Sequence, residues 1–307
     1  MRPVLYALNV GRGDAFFLEI PTDDGVAVVL IDGGDQFFHE SVRPYRFAQE
    51  RGWKQIDLMI LTHLHPDHLT GLLEVAEHIP IVESVLPYPQ LALDLSEMQH
   101  PQAIQTARML NDYNQLWELL ILQKTVVSLR QPFGETASWR FGQFVLRHLD
   151  PLHISDLPAY GNLQQLCSSH LEAELQEELL VAFDASSNRD SSVWLFEETD
   201  GRQLFLFGGD ALLSNWERIM DREQLRPCGF KVGHHGMADG WNEQLLRLLS
   251  PDWLLITNND TEYERFRDEW NRIAQASESM LYVTGSQPGT IYLASRLPLA
   301  LERIELK

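Results

Sequence analysis

DLMILTHLHPDHLTGLLEV, running from Asp57 to Val75, joins an apolar run to an amphipathic one through a turn crowded with imidazoles. Leu58 to Leu61 has the character of a short buried strand. Thr62, His63, His65, Asp67 and His68 follow within seven residues, and Pro66 breaks any helix running through them. From Leu69 the apolar spacing turns helical, with Asp67 where an N-cap would sit. Imidazoles and a carboxylate gathered at one turn disfavour protonating one another's neighbours, and a divalent cation relieves this by replacing the protons. Imidazole with carboxylate suits zinc, manganese or iron better than calcium. The bland alternative is a polar loop with coincidental histidines, and H-x-H-x-D-H at a strand end outweighs it. The turn reads as a metal site.

At 307 residues the chain is long enough for two domains, though α/β units of this size are common as one. No linker, repeat or low-complexity tract marks a second module, so residues 1–307 are expected as a single domain. An apolar content of 44% supports a full core. The net charge of −20, with a pI near 4.8, argues against a broad electrostatic grip on nucleic acid or on anionic membrane. It does not speak to a local patch, and bound metal would make the site itself positive. Cys167 and Cys228 alone give no disulfide framework, which fits a reducing compartment. The N-terminus alternates and turns too early for a signal sequence, and no run approaches the roughly 18 apolar residues of a membrane span. A soluble, cytoplasmic protein is the expectation.

Strands are predicted at Val4 to Val10, Ala15 to Ile20 and Val26 to Ile31, the last two joined by the hairpin Thr22-Asp23-Asp24-Gly25. Asp32-Gly33-Gly34 closes the third. Ser41 to Trp53 reads as helix and Glu83 to Leu86 as strand. The polar-rich stretch Leu91 to Leu129 reads as helical, Trp139 to Leu149 as one strand, and Leu163 to Leu180 as one acidic amphipathic helix. Helical insertions are therefore expected near 85–135 and 155–185. Trp117, Leu119, Leu120 and Leu122 read as core. So does His148, and the same plain reading applies to His39, His78, His100, His153 and His170.

Three later segments repeat the design of a strand ending in a polar turn. Ser186 to Ser192 precedes the strand Val193 to Glu197; Gln203 to Phe207 ends in Gly208-Gly209-Asp210; Gly229 to Val232 ends in Gly233-His234-His235-Gly236. A strand at Leu254 to Thr257, a helix at Glu262 to Ala276, a strand near Met280 to Thr284 and another at Thr290 to Ala294 follow, the last expected to complete the second sheet.

The H-x-H-x-D-H turn, followed in this order by Asp210 and the His-His pair, resembles the metallo-β-lactamase superfamily. Within it the chain is similar to the ComEC-type lactamase-like domain and its stand-alone relatives. The likeness is carried by Asn9 to Ala15 (NVGRGDA), Leu30 to Gly34 (LIDGG), Leu61 to His68 (LTHLHPDH), Asn188 to Val193 (NRDSSV), Phe207 to Asp210 (FGGD) and Lys231 to Gly236 (KVGHHG). The resemblance implies an α/β fold, a four-layer αββα sandwich of two mixed sheets flanked by helices. It implies one or two divalent cations, Zn²⁺ or Mn²⁺. His63 and His65 would hold the first, Asp67 and His68 the second, with Asp210 bridging and His234 as the remaining ligand because it directly ends its strand. His235 would face substrate or support the ligands, with the two roles open to exchange. Asp32 would orient the histidines from below, and Asp14 reads as structural. Asn188 stands where lactamases place a third histidine, and its harder oxygen tilts the site toward manganese or magnesium. Asp190 stands close with its direction open.

The implied chemistry is hydrolysis of a phosphodiester by a metal-activated water, with Asp67, Asp210 and His235 as catalytic residues and His235 or Tyr263 as proton donor. The relatives carry Ser where this chain has Met237, and a late histidine that Asn258 to Tyr263 lacks. Two rivals follow: hydrolysis of a carboxylic ester, lactone or thioester, and a non-catalytic binding or regulatory protein with a degraded centre. The expected partner is a small-molecule or nucleotide-type phosphoester, with nucleic acid disfavoured by charge and no membrane.

Overall fold

Apolar alternation and tight turns at the N-terminus produce an antiparallel meander, β1 (Val4–Leu8), β2 (Phe16–Thr22) and β3 (Gly25–Ile31), in the computed structural model, which describes residues 1–35, 42–95, 97–168, 171–287 and 289–305. After α1 (Pro44–Glu50), the sheet grows in parallel: β4 (Ile56–Ile60), α2 (Pro66–His78), β5 (Ile81–Leu86), α3 (Pro101–Gln123) and β6 (Val126–Leu129). A hairpin, β7 (Ser138–Phe141) and β8 (Phe144–Asp150), opens the second sheet, and α4 (Pro158–Leu166) and α5 (Ala173–Ser186) follow it. Then come β9 (Val193–Glu198), β10 (Gln203–Phe207), α6 (Leu213–Met220), β11 (Gly229–Lys231), α7 (Glu243–Leu249), β12 (Trp253–Ile256), α8 (Asp260–Ser277) and β13 (Met280–Val283). The chain returns to the first sheet with β14 (Thr290–Arg296) and β15 (Glu302–Glu305).

The strand orders are β15-β14-β1-β2-β3-β4-β5-β6 and β13-β12-β11-β10-β9-β8-β7. Each sheet is antiparallel on one side and parallel on the other. Three apolar clusters give the layering its cause. One lies between the first sheet and α1 to α5, with Leu69, Leu72, Leu110 and Phe183 in it. Another lies between the sheets (Phe16, Leu58, Trp194, Phe207), and the third binds α6 to α8 to the second sheet (Trp216, Leu246, Trp270). Two mixed sheets flanked by helices are thus the architecture expected from the resemblance.

Several expectations need correction. Leu122 is 80% exposed, and His78, His100 and His153 lie at the surface rather than in the core. The N-cap of α2 is His65, with Pro66 as its first residue, so Asp67 lies inside the first turn. Val126 to Leu129 is not helical but a strand pairing in parallel with β5. Trp139 to Leu149 is a hairpin, because Gly142 supplies the positive φ of a tight turn. Leu163 to Leu180 is two helices, α4 and α5, rather than one. Thr290 to Ala294 pairs antiparallel with β1 and so completes the first sheet, not the second. Ser41, His39 and His170 lie outside the described residues.

The close packing of α2 onto β3 places the metal turn. A Cβ on Gly71 would lie 1.9 Å from the Gly33 carbonyl oxygen, so only glycine lets the helix approach. Gly33 in turn donates its N–H to the His68 carbonyl at 2.7 Å.

His148 is buried as expected, but neither ring nitrogen has a hydrogen-bond partner among the described residues, and its ring packs on Trp194. Burial, with help from Arg130 and Arg222, pushes its pKa down to about 3. Between that value and the ordinary one, the unfolded chain binds more protons than the folded one, so stability falls as pH falls through this window. The loss attributable to His148 is about 2 kcal/mol at pH 5. His148→Phe should therefore flatten the acid side of a Tm-against-pH curve measured with the chain free of metal; an unchanged slope would refute this.

Candidate metal centre

Every histidine of the metal turn leaves the carboxyl end of β4, where a parallel sheet leaves room for ligands. β3, β10, β11 and β12 end at the same place and deliver Asp32, Asp210, His235 and Thr257.

Asp32 closes β3 with a left-handed backbone (φ 58°). That conformation aims its buried carboxylate at the turn. It accepts the Thr62 N–H at 2.8 Å, the Thr62 hydroxyl at 2.8 Å and His68 Nδ1 at 2.8 Å. Thr62 has one hydroxyl proton and gives it to Asp32, so its oxygen accepts from His63 Nδ1, 3.1 Å away. Thr257 likewise donates to Asp14 at 2.5 Å and therefore accepts from His235 Nδ1 at 3.1 Å. This proton count makes Nδ1 the N–H side of His63, His68 and His235, and leaves Nε2 of all three for the centre. His65 turns the other way. Its Nε2 faces the Asp184 carbonyl at 3.4 Å and its Nδ1 lies 3.1 Å from His63 Nε2.

The inward nitrogens meet carboxylates. His68 Nε2 lies 3.3 Å from Asp210 Oδ1, and His235 Nε2 lies 3.2 Å from Asp210 Oδ2 and 3.3 Å from Asp67 Oδ2. His63 Nε2 is 3.8 Å from Asp210. Ligand atoms of His63, His65 and Asp210 form one group within 4.8 Å, and those of Asp67, His68 and His235 form another. Nε2 of both His68 and His235 is buried with no hydrogen-bond partner among the described residues, despite the nearby oxygens. Lone pairs facing oxygens at this distance repel unless a positive charge lies between them. The donor set therefore fits a divalent cation.

Electrostatics agree. Burial opposes protonation of His68, but Asp210 and Asp32 outweigh it and raise its pKa well above the ordinary value. Burial likewise opposes protonation of His235, and Asp210 again reverses the balance. Burial would lift Asp210, yet His235, His68 and Lys231 hold it well below the usual carboxylate range. His63 goes the other way: burial and the neighbouring His68 keep it neutral, the state in which imidazole binds metal. The carboxylates that draw protons onto His68 and His235 would draw a cation to the same place.

His63, His65, Asp67, His68 and Asp210 thus converge as expected from the sequence. His234 and His235 exchange places. Both residues of the pair are left-handed (φ 47° and 51°), which turns the first ring outward and the second inward. His235 is fully buried among the carboxylates. His234 instead places Nδ1 2.7 Å from Asp239 and Nε2 3.0 Å from the Asn188 amide. Asn188 stands on a short 3-10 turn, Ser187–Asp190, whose Ser187 hydroxyl bonds the Leu64 carbonyl beside the histidines. Its Oδ1 is buried without a hydrogen-bond partner among the described residues. Asp190 points away from the centre: it accepts from Tyr88 at 2.6 Å and from the N–H groups of Ala159 and Tyr160 at 3.0 and 2.9 Å, anchoring α4. Tyr263 packs against Trp270 with Arg267 over its ring, not as a proton donor to the centre. Asp14 is more than structural, since through Thr257 it fixes His235.

Two residues escaped the sequence reading. Thr257 is an ordinary strand-end threonine, and nothing in the chain joins it to Asp14. Lys231 carried a usable signal: a lysine inside the apolar strand Gly229 to Val232 has to be paired if that strand is buried. It is fully buried, 2.7 Å from Asp14 Oδ2 and 3.4 Å from Asp210 Oδ1.

Comparison with known proteins gives consistent results. A family model described as the metallo-beta-lactamase superfamily matches residues 8–102. ComE operon protein 3 of Bacillus subtilis (strain 168) is 23% identical over 302 residues, covering 92% of this chain and 32% of that protein. The chain thus spans about a third of the length of this curated relative. Among solved structures, a diphosphatase of the PhnP family is 12% identical with a TM-score of 0.40, covering 83% of this chain and 86% of that one. MEM-A1, a subclass B3 metallo-β-lactamase from a soil metagenome library, is 12% identical with a TM-score of 0.37, covering 91% and 92%. Likeness at these scores has no bearing on substrate. No helix among the described residues is long and apolar enough to cross a membrane. With the matched segment containing the H-x-H-x-D-H turn, and with that turn completed by Asp210 and His235 between two mixed sheets, the chain has a metallo-β-lactamase-like fold and resembles that superfamily.

Proposed function

We propose that the chain is a metal-dependent hydrolase acting on a phosphodiester. The observation that carries this is the position of Asp210 between two groups of imidazole and carboxylate ligands, with Nε2 of His63, His68 and His235 aimed inward. Divalent cations bound there would supply a water ionised near neutral pH and polarise a substrate oxygen. The protein's own part is to hold His63, His65 and Asp210 on one side, and Asp67, His68 and His235 on the other, against their mutual repulsion. Manganese or zinc suits that donor set.

The phosphodiester reading is supported by the motif order shared with the ComEC-type domain and by two exposed cations. Arg12, between Gly11 and Gly13 in the loop packed on Asp67, and Arg189, next to Asn188, are exposed with no salt bridge among the described residues. Both are available to an anionic group. His234 is the imidazole at the mouth, with 17% side-chain exposure, while His235 has none. Its Nδ1 donates to Asp239 and its Nε2 accepts from the Asn188 amide, so it would serve a leaving oxygen only as the imidazolium, with Nε2–H turned from Asn188 to that oxygen.

The test is turnover by the purified chain of bis(p-nitrophenyl) phosphate, p-nitrophenyl acetate and single-stranded DNA, with Mn²⁺ or with chelator. Mn²⁺-dependent cleavage of the phosphodiester is expected. Cleavage of the acetate alone would move the substrate to carboxylic esters, and no cleavage with Mn²⁺ bound would favour a binding protein.

A further inference from the structure

A third set of potential ligands, Asp14, His68 and Asp210, lies within the same 4.8 Å limit and is fully buried. Its place is already filled from within. The Lys231 ammonium sits 2.7 Å from Asp14 Oδ2, 2.6 Å from the Gly209 carbonyl oxygen and 3.4 Å from Asp210 Oδ1. No part of it reaches solvent. Asp14 has a further link through Thr257 to His235, so the lysine touches one side of the centre directly and the other through a hydrogen-bonded relay.

We propose that Lys231 is the centre's resident cation: a positioning residue that keeps the metal-free chain folded and weakens the hold on divalent cations. The physical ground is charge count. Asp14, Asp32 and Asp210 are buried carboxylates crowded together, with Asp67 joining them from the first turn of α2, and buried charge without a counterion is costly. Lys231 supplies a fixed positive charge that no chelator removes. The same charge repels a divalent ion arriving at Asp210, so the lysine opposes loading while it stabilises the empty state. This rests on the cation-binding part of the reading above and not on the substrate.

The experiment compares wild type with Lys231→Gln, which is neutral yet still able to donate to the Gly209 carbonyl, and with the charge-free double variant Asp14→Asn/Lys231→Gln. Tm is measured after chelation and again with saturating Mn²⁺, and Mn²⁺ affinity by calorimetry. Lys231→Gln should lower the metal-free Tm by about 5–10 °C. It should bind Mn²⁺ at least about tenfold more tightly, and so show a larger Tm gain on loading. The double variant, having lost one charge of each sign, should regain most of the metal-free Tm, and it keeps the test alive should the single variant fail to fold without metal. Unchanged metal-free Tm in Lys231→Gln, or Mn²⁺ bound no more tightly than by wild type, overturns the proposal. A wild-type chain that takes up no divalent cation would sink the reading of the centre as well. A wild type that binds Mn²⁺ beside a neutral variant that binds it no better would sink the lysine's role alone.

Discussion

Asp210→Ala should lower kcat/KM on a phosphodiester by at least about a thousandfold, a loss of about 4 kcal/mol of transition-state stabilisation. Asp210 is the carboxylate that both ligand groups approach, through His63 at 3.8 Å on one side and through His68 and His235 at 3.3 and 3.2 Å on the other. Deleting it takes an oxygen from each group at once. It also leaves Lys231 buried without one of its two counter-charges, and removes the carboxylate that most raises the proton affinity of His68 and His235. Metal content by mass spectrometry of the purified variant should therefore fall along with activity. A variant that keeps both its cations and its turnover would remove Asp210 from the centre.

The next largest effect separates the paired histidines. His235→Ala should cost at least about a hundredfold in Mn²⁺ affinity, because the imidazole facing Asp67 and Asp210 is gone while both carboxylates remain. His234→Ala should leave Mn²⁺ affinity within a few-fold of wild type. It should lower kcat by about a hundredfold on substrates with a poor leaving group, and far less on a nitrophenolate, which departs unprotonated. Calorimetry with Mn²⁺ and a leaving-group series read the two effects independently. The reverse pattern, with cation lost in His234→Ala and kept in His235→Ala, would restore the assignment that chain order alone suggested.

That assignment shows where the sequence stops being legible. His63, His65, Asp67 and His68 are readable because they lie within one turn, so no tertiary information is needed to bring them together. Asp210 is readable because glycines precede it at a strand end. Gly-His-His-Gly does not say which ring turns inward; two successive left-handed backbones settle that. The Asp14–Thr257–His235 relay joins residues up to 243 positions apart, beyond any local pattern. The same limit explains the sheet assignment of Thr290 to Ala294: an apolar strand carries no mark of its partner, and β1 lies at the other end of the chain. The hairpin at Gly142 was missed for a different reason. Inward positions shift from odd (Trp139, Phe141) to even (Phe144, Leu146) across Gly142-Gln143, a break in alternation that a single glycine marks only weakly.

The short turn Ser187–Asp190 has a consequence for how this cleft can diversify. Asn188 stands at the mouth beside His234, whereas Asp190, two residues on, grips the first N–H groups of α4. Roof and floor are thus hung from one peg. Helices α4 and α5 meet the centre through Asp190 and through the Asp184 carbonyl facing His65, so changes at their far ends leave those contacts in place. An insertion or deletion within 187–190 would tilt the roof and misplace the mouth in a single stroke, so variation is channelled into everything except that peg.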